Sequence, residues 1–236
     1  MLQDVKIFGF SELKSIHREK RKSFTEDFSI RIHRGLSWVE RAEKESNDPD
    51  ASFIFYWIAF NSIYADVDVN ETSEKSKFNY FFNQILKLDD RKKIYSILWI
   101  SFHNEIKRLL NNQFIFQPFW KHMLKKNFPN WEDSFIKANR RVEYALKEKN
   151  SQVILGILME RLYVLRNQLI HGGATWNSGK NRDQVSDGNK FLKDFVPCLL
   201  EIMLKYPNAN WGDNNYPILR ANKDGIEKLF FKYNKG

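Results

Sequence analysis

The stretch Phe53-Ile54-Phe55-Tyr56-Trp57-Ile58-Ala59-Phe60 constrains this chain more than any other, because it is apolar at every position. A helix built from it has no polar face, so it must be enclosed on all sides by other elements. The run falls far short of the 18 or so apolar residues that read as a membrane span. The remaining place for it is the centre of a helical bundle. Elsewhere the apolar residues recur every three to four positions, the period of a core-facing helical stripe. Phe28, Ile32, Leu36 and Val39 form one stripe, and Ile154, Leu158, Leu162, Leu165 and Leu169 form another. A third helix is expected over about 184–206, with Leu192, Phe195, Leu199 and Met203 inward and a kink at Pro197. Ten Gly and 6 Pro are few for a sandwich or a disordered chain. The fold class is therefore all-α.

Punctuation divides the chain. Asp48-Pro49-Asp50 ends one helix, and Asp50 is a candidate N-cap for a helix over about 51–66. The polar stretch Asp66–Lys77 reads as a surface loop. Residues 78–127 suggest two or three helices, with Leu86, Ile94, Ile97, Leu98 and Phe102 towards a core, a break at Asn111-Asn112, and further stops at Pro118 and Pro129. Segment 131–149 has Glu132 and Asp133 at its start and Lys147 and Lys149 at its end, an order that complements a helix dipole. Ser151 is a candidate cap for the next helix, and Gly172-Gly173 stop it. A turn-rich tail over 207–236 is expected to pack back on the bundle. We expect a single domain over 1–236, with a core of about 25–66 and 131–206 and a helical insertion of about 78–127.

The single Cys198 excludes an internal disulfide and cysteine-rich zinc sites, which suits a reducing cytoplasm. The first residues lack a basic region followed by an apolar one, so no secretory signal is expected. Formal net charge is +9, and residues 87–149 hold 14 basic against seven acidic side chains. A basic middle suits a polyanionic partner such as RNA. Lys121, Lys125 and Lys126 are the candidates for contact with an RNA backbone. Motifs for a phosphate-binding loop, a dinucleotide fold, a zinc protease or a serine hydrolase are absent from the sequence. His17, His33, His103 and His122 have no partners at metal-ligand spacing and are expected at the surface or its boundary. Neither a metal nor another cofactor is expected.

The residues with most chemistry are Arg166, Asn167 and His171, at the end of the second stripe. A histidine titrating near neutrality can move a proton to or from a ribose 2′-hydroxyl or a leaving 5′-oxygen. An arginine fork matches the non-bridging oxygens of a phosphate. On an ideal helix, positions five apart lie about 140° around the axis, so Arg166 and His171 do not share a face. Asn167 stands at i,i+4 from His171 and does. Two such helices about a two-fold axis can bring one subunit's arginine to the other's histidine. The spacing alone has little weight, since a chain with 13 Arg and 5 His gives such a pair about once by chance. After the glycines, Asn177, Asn181 and Arg182 are candidates to line a substrate groove. Trp176 can stack a base, although an aromatic beside a Gly-Gly turn more often plugs the end of a bundle.

Arg166-Asn167-Gln168-Leu169-Ile170-His171 resembles the signature of the HEPN superfamily, an arginine, a polar residue and a histidine four to six positions on. Ala174-Thr175-Trp176-Asn177, Asn181-Arg182-Asp183-Gln184, Trp211-Gly212, Tyr216-Pro217 and the helix Tyr56–Tyr64 resemble its Apea-like branch. The resemblance covers 25–66 and 151–220, and 78–149 only loosely. It implies a HEPN-like helical bundle, usually a homodimer with Arg166 and His171 at the subunit interface. It also implies a metal-independent endoribonuclease that leaves 2′,3′-cyclic phosphate and 5′-hydroxyl ends, often in toxin–antitoxin or phage-defence settings with an antitoxin or defence partner. Members that do not cleave RNA use the bundle to dimerise or to bind a nucleotide, RNA or a partner protein.

Overall fold

The apolar run lies in the core along one face, while Ile54, Phe55 and Ile58 on the other face are only half-buried, so the run is not enclosed on all sides. In the structure, a computed structural model that describes residues 6–64, 74–124 and 130–212 (side chains of 74–77 excepted), it forms helix α3, Pro49–Ile63. Phe53, Tyr56, Trp57, Ala59, Phe60 and Ile63 are each almost wholly buried. The helix starts two residues earlier than the sequence suggested, and Asp48, not Asp50, caps it. The Asp48 carboxylate accepts from the backbone N–H of Asp50 at 3.0 Å and Ala51 at 3.1 Å. Pro49 explains the choice: proline is favoured in the first turn, where its missing N–H costs nothing, and the residue before it is then the cap.

The other helices are α1 (Phe10–Lys20), α2 (Glu26–Lys44), α4 (Glu74–Leu88), α5 (Lys93–Ser96), α6 (His103–Leu110), α7 (Gln117–Met123), α8 (Trp131–Lys147), α9 (Ser151–Ile170) and α10 (Arg182–Lys205); α2, α10 and α9 pack against α3, and α4, α6 and α8 pack on α9. A π turn over Ile97–Ser101 joins α5 to α6. Among the described residues there is no strand, so the fold is an all-α bundle. Glu74–Lys77 belong to α4, so the expected loop ends earlier than Lys77, and 65–73 lie outside the described residues. Asn150, not Ser151, caps α9, its side chain accepting from the Val153 N–H at 3.1 Å. Both residue types cap well, and asparagine ranks at least level with serine.

Two glycines let the layers approach closely. A Cβ on Gly35 of α2 would lie 2.6 Å from the Ile63 Cγ2 of α3 and 3.1 Å from the Leu200 Cδ2 of α10. A Cβ on Gly188 of α10 would lie 2.9 Å from the Leu162 Cδ2 of α9 and 3.0 Å from a Phe53 ring carbon. Phe78, Phe82 and Ile85 of α4 and Ile106 and Leu109 of α6 join the same hydrophobic cluster as α3, α9 and α10. Helix α10 continues through Pro197, which is buried. The end of the described chain, up to Gly212, packs on the bundle. Trp211 lies against Phe81, and the buried Arg31 guanidinium donates to the carbonyls of Trp211 and Gly212. Tyr216-Pro217 and the rest of the tail are outside the described residues.

Candidate functional site at the end of α9

Helix α9 has its apolar stripe against the core, with Ile154, Leu158, Leu162 and Leu165 fully buried. Its last turn leaves the core obliquely: Arg166, Asn167, Gln168 and Leu169 are half-buried, and Ile170 and His171 are exposed. His171 is the C-cap, and its N–H donates to the Asn167 carbonyl at 3.0 Å. Gly172, at φ 68°, takes the left-handed conformation that reverses the chain. The Ala174 N–H then donates back to the Gln168 carbonyl at 3.1 Å. The turn presents the His171 ring beyond the helix end, open to solvent.

Arg166 is held differently. Its Nη1 donates to the Asn167 Oδ1 at 2.8 Å. Its guanidinium lies 5.4 Å from the Tyr163 ring centre and 6.0 Å from that of Trp57. The Nε has no hydrogen-bond partner, and among the described residues Arg166 forms no ion pair. A cation restrained by an amide and two aromatic faces, and not neutralised by a carboxylate, keeps its attraction for an incoming anion. The supporting rings escaped the sequence reading. Tyr163 was legible, because it precedes Arg166 by three residues and so neighbours it on the helix. Trp57 was not, because it comes from α3.

No hydrogen bond joins Arg166 to His171 within the chain. Asn167 links to each, through its side chain to Arg166 and through its carbonyl to the His171 N–H. The surroundings are apolar and open. Ile170 is exposed, as are Phe114, Trp120 and Trp176. The Gln168 amide donates to the Phe114 carbonyl at 2.6 Å, and the Trp120 indole donates to the same oxygen at 2.7 Å, which ties the start of α7 to the end of α9. Trp176 does not plug the bundle end. It is 69% exposed, and its indole N–H donates to the Asp48 Oδ2 at 2.9 Å. Its polar edge has found the helix cap, which draws the ring outwards.

The other candidates divide. Arg182 is committed to structure: it donates to Asn177 Oδ1 at 2.8 Å and to Asp50 Oδ2 at 2.7 Å, locking the loop onto the start of α3. Asn177 sits at φ 54° in that clasp. Asn181 precedes α10 at its N-cap position without a capping hydrogen bond from its side chain. Neither these three nor Lys121 is bonded to Arg166 or His171. Lys121 is exposed on α7, next to Trp120, and Lys125 and Lys126 lie outside the described residues. Among the described residues no three His, Cys, Asp or Glu side chains gather as a metal site, and no helix is long and apolar enough to cross a membrane.

His17 departs from the surface position expected of it. It is 3% exposed, with Nε2 at 3.2 Å from Ser29 Oγ and its ring stacked on His33. Leu13 and His17 are i,i+4 neighbours on the buried face of α1, so its place followed from the stripe of that helix. Comparison with protein-family models, with curated proteins and with solved structures finds no match for this chain.

Proposed function

We propose that this protein is a HEPN-type endoribonuclease that works as a homodimer in a toxin or phage-defence setting. The observation that carries the reading is the Arg166 guanidinium, held by Asn167, Tyr163 and Trp57 with no carboxylate to neutralise it, five residues before an exposed His171. In this reading Arg166 clamps the scissile phosphate and stabilises the charge that grows on it. His171 exchanges a proton with the attacking 2′-hydroxyl or the departing 5′-oxygen. The bond from phosphorus to the 5′-oxygen breaks as the one to the 2′-oxygen forms, leaving a 2′,3′-cyclic phosphate and a 5′-hydroxyl. The mechanism asks for no metal ion. Asn167 orients Arg166. Two features support a dimer: the missing Arg166–His171 contact within one chain, and the exposed Ile170 at the helix end with the exposed Phe114 and Trp120 tied to that end through Gln168.

The missing contact also favours a second reading, a non-catalytic dimerisation module that binds a nucleotide, RNA or a protein partner through the same surface. The test is incubation of the purified protein with total RNA and tRNA in EDTA, beside His171→Ala, followed by analysis of product ends. Cleavage by the parent alone, with cyclic-phosphate ends, is the expected result. Equal cleavage by both proteins would overturn it, and absence of product from either selects the binding module.

A further inference from the structure

A second arginine on α9 packs between aromatic rings but has no acceptor for one edge of its guanidinium. Arg161 is 3% exposed, and among the described residues it forms no ion pair. Its guanidinium lies 4.3 Å from the Phe116 ring centre and 5.6 Å from that of Phe135. Its Nε and Nη2 have no hydrogen-bond partner. These two nitrogens form the side-on edge of the guanidinium, which matches the two oxygens of a carboxylate or phosphate. The protein uses that same edge elsewhere: Arg108 donates from Nε and Nη2 to the Asp187 carboxylate at 2.8 and 2.9 Å. At Arg161 the matching acceptor is missing. Burial alone pushes the Arg161 guanidinium down to about 10, with Glu160 opposing the shift. A buried charge whose side-on edge has no bonded acceptor points to a ligand that supplies one.

The space for such a ligand is present. Arg161 lines a cavity of about 660 Å³ between α7, α8 and α9, within the range of small-molecule sites. Phe116, Pro118 and Tyr163 give it apolar walls, and Gln117, Ser134 and Arg141 give it polar points; the Glu160 carboxylate also lines it, so an anion must seat at the Arg161 edge and away from Glu160. We propose that this cavity binds a small organic anion, a flat apolar body bearing one carboxylate or phosphate that takes the side-on edge of Arg161. The aromatic walls select the flat body and the guanidinium selects the oxyanion. Arg166 and His171 do not line the cavity, and its link to them is the Tyr163 ring, which lines the cavity and lies 5.4 Å from the Arg166 guanidinium.

The test is calorimetric titration of the full chain with 2-naphthoate and with AMP, each beside its neutral analogue, 2-naphthalenemethanol or adenosine. At least one anion is expected to bind, with the neutral analogue weaker by about tenfold or more, the scale of a charge-assisted hydrogen bond. Binding by naphthoate alone identifies a carboxylate ligand, and binding by AMP alone a phosphate one. Arg161→Met keeps the volume and removes the unpaired charge, so it should melt at or above the parent temperature while losing the anion. Arg161→Lys keeps the charge but not the fork, and should also bind more weakly by tenfold or so. No binding by either anion, or parent-like binding by both variants, overturns the proposal.

Discussion

Mixing two inactive variants tests the composite site directly. Arg166 and His171 are five residues apart on one helix, hence about 7.5 Å along the axis and about 140° around it. The chain places no hydrogen bond between them, and Arg166 is turned to Asn167 instead. If cleavage uses one subunit's arginine and the other's histidine, Arg166→Ala and His171→Ala should each be inactive. Loss of a general acid or base costs about 10²–10⁴-fold. In a mixed dimer one site loses both groups, while the other keeps an intact arginine from one chain and an intact histidine from the other. Co-expression at equal levels makes about half the dimers mixed, each with one working site of two, so activity should return to about a quarter of the parent rate. That signal stands at least tenfold above either variant alone. The assay is cleavage of a labelled RNA by the co-expressed, differently tagged chains, and the mixed dimer isolated from them by sequential affinity steps should rise further, to about half the parent rate. If the mixed dimer stays at the level of the single variants while the parent cleaves, both groups act within one chain and the composite site is wrong.

Three further outcomes follow from the packing and the buried charges. Gly35→Ala should lower stability by about 1–2 kcal/mol in denaturant unfolding: overpacking against Ile63 and Leu200 costs about 1–3 kcal/mol, and a better helix former returns up to about 1. Lys93→Ala should cost about 2–4 kcal/mol in the same measurement. It strands Glu201, now 2.6 Å from the buried Lys93 Nζ, with Arg91 at 3.9 Å the one other ion-pair partner among the described residues. Burial first, then the charges of Lys14 and His33, hold the His17 imidazole below its ordinary 6.5. The unfolded chain therefore binds more protons below that pH, so this contribution to stability is complete above 6.5 and is lost as pH falls through the lower folded value. His17→Leu should flatten the fall in melting temperature between pH 7 and 5 relative to the parent, and an unchanged pH slope would exclude His17 as its source.

The bundle was legible because its evidence is periodic. The stripes of α2, α9 and α10 and the uniform apolarity of α3 each fix one face of one helix, and burying those faces together leaves an all-α solution. Helix ends were less legible because two good caps often stand side by side. Asp48 and Asp50 are chemically equivalent, and only the proline between them decides. Asn150 and Ser151 differ too little for local chemistry to choose. The candidate site was legible along α9 and illegible across helices. Tyr163 could be read from i,i+3 spacing, whereas Trp57 under Arg166, and Asp50 and Asp48 beneath Arg182 and Trp176, are contacts between segments more than 100 residues apart.

Position along α9 determines the fate of its arginines. Arg161 points where α7 and α8 cover the helix, so it is enclosed with aromatic rings and without an acceptor. Arg166, five residues on, emerges where that cover ends and keeps one edge against Tyr163 and Trp57. His171, five further, is past the last turn and exposed. The same spacing thus yields an enclosed, a half-enclosed and an open polar group along about 15 Å of helix. Only the last two can meet a polyanion without rearrangement of the fold. Substitutions at Arg161 should therefore move affinity for small anions and leave RNA cleavage unchanged, while His171→Ala should do the reverse. Coupled loss of both activities in Arg161→Met, with helix content intact, would show that the cavity and the helix end form one site.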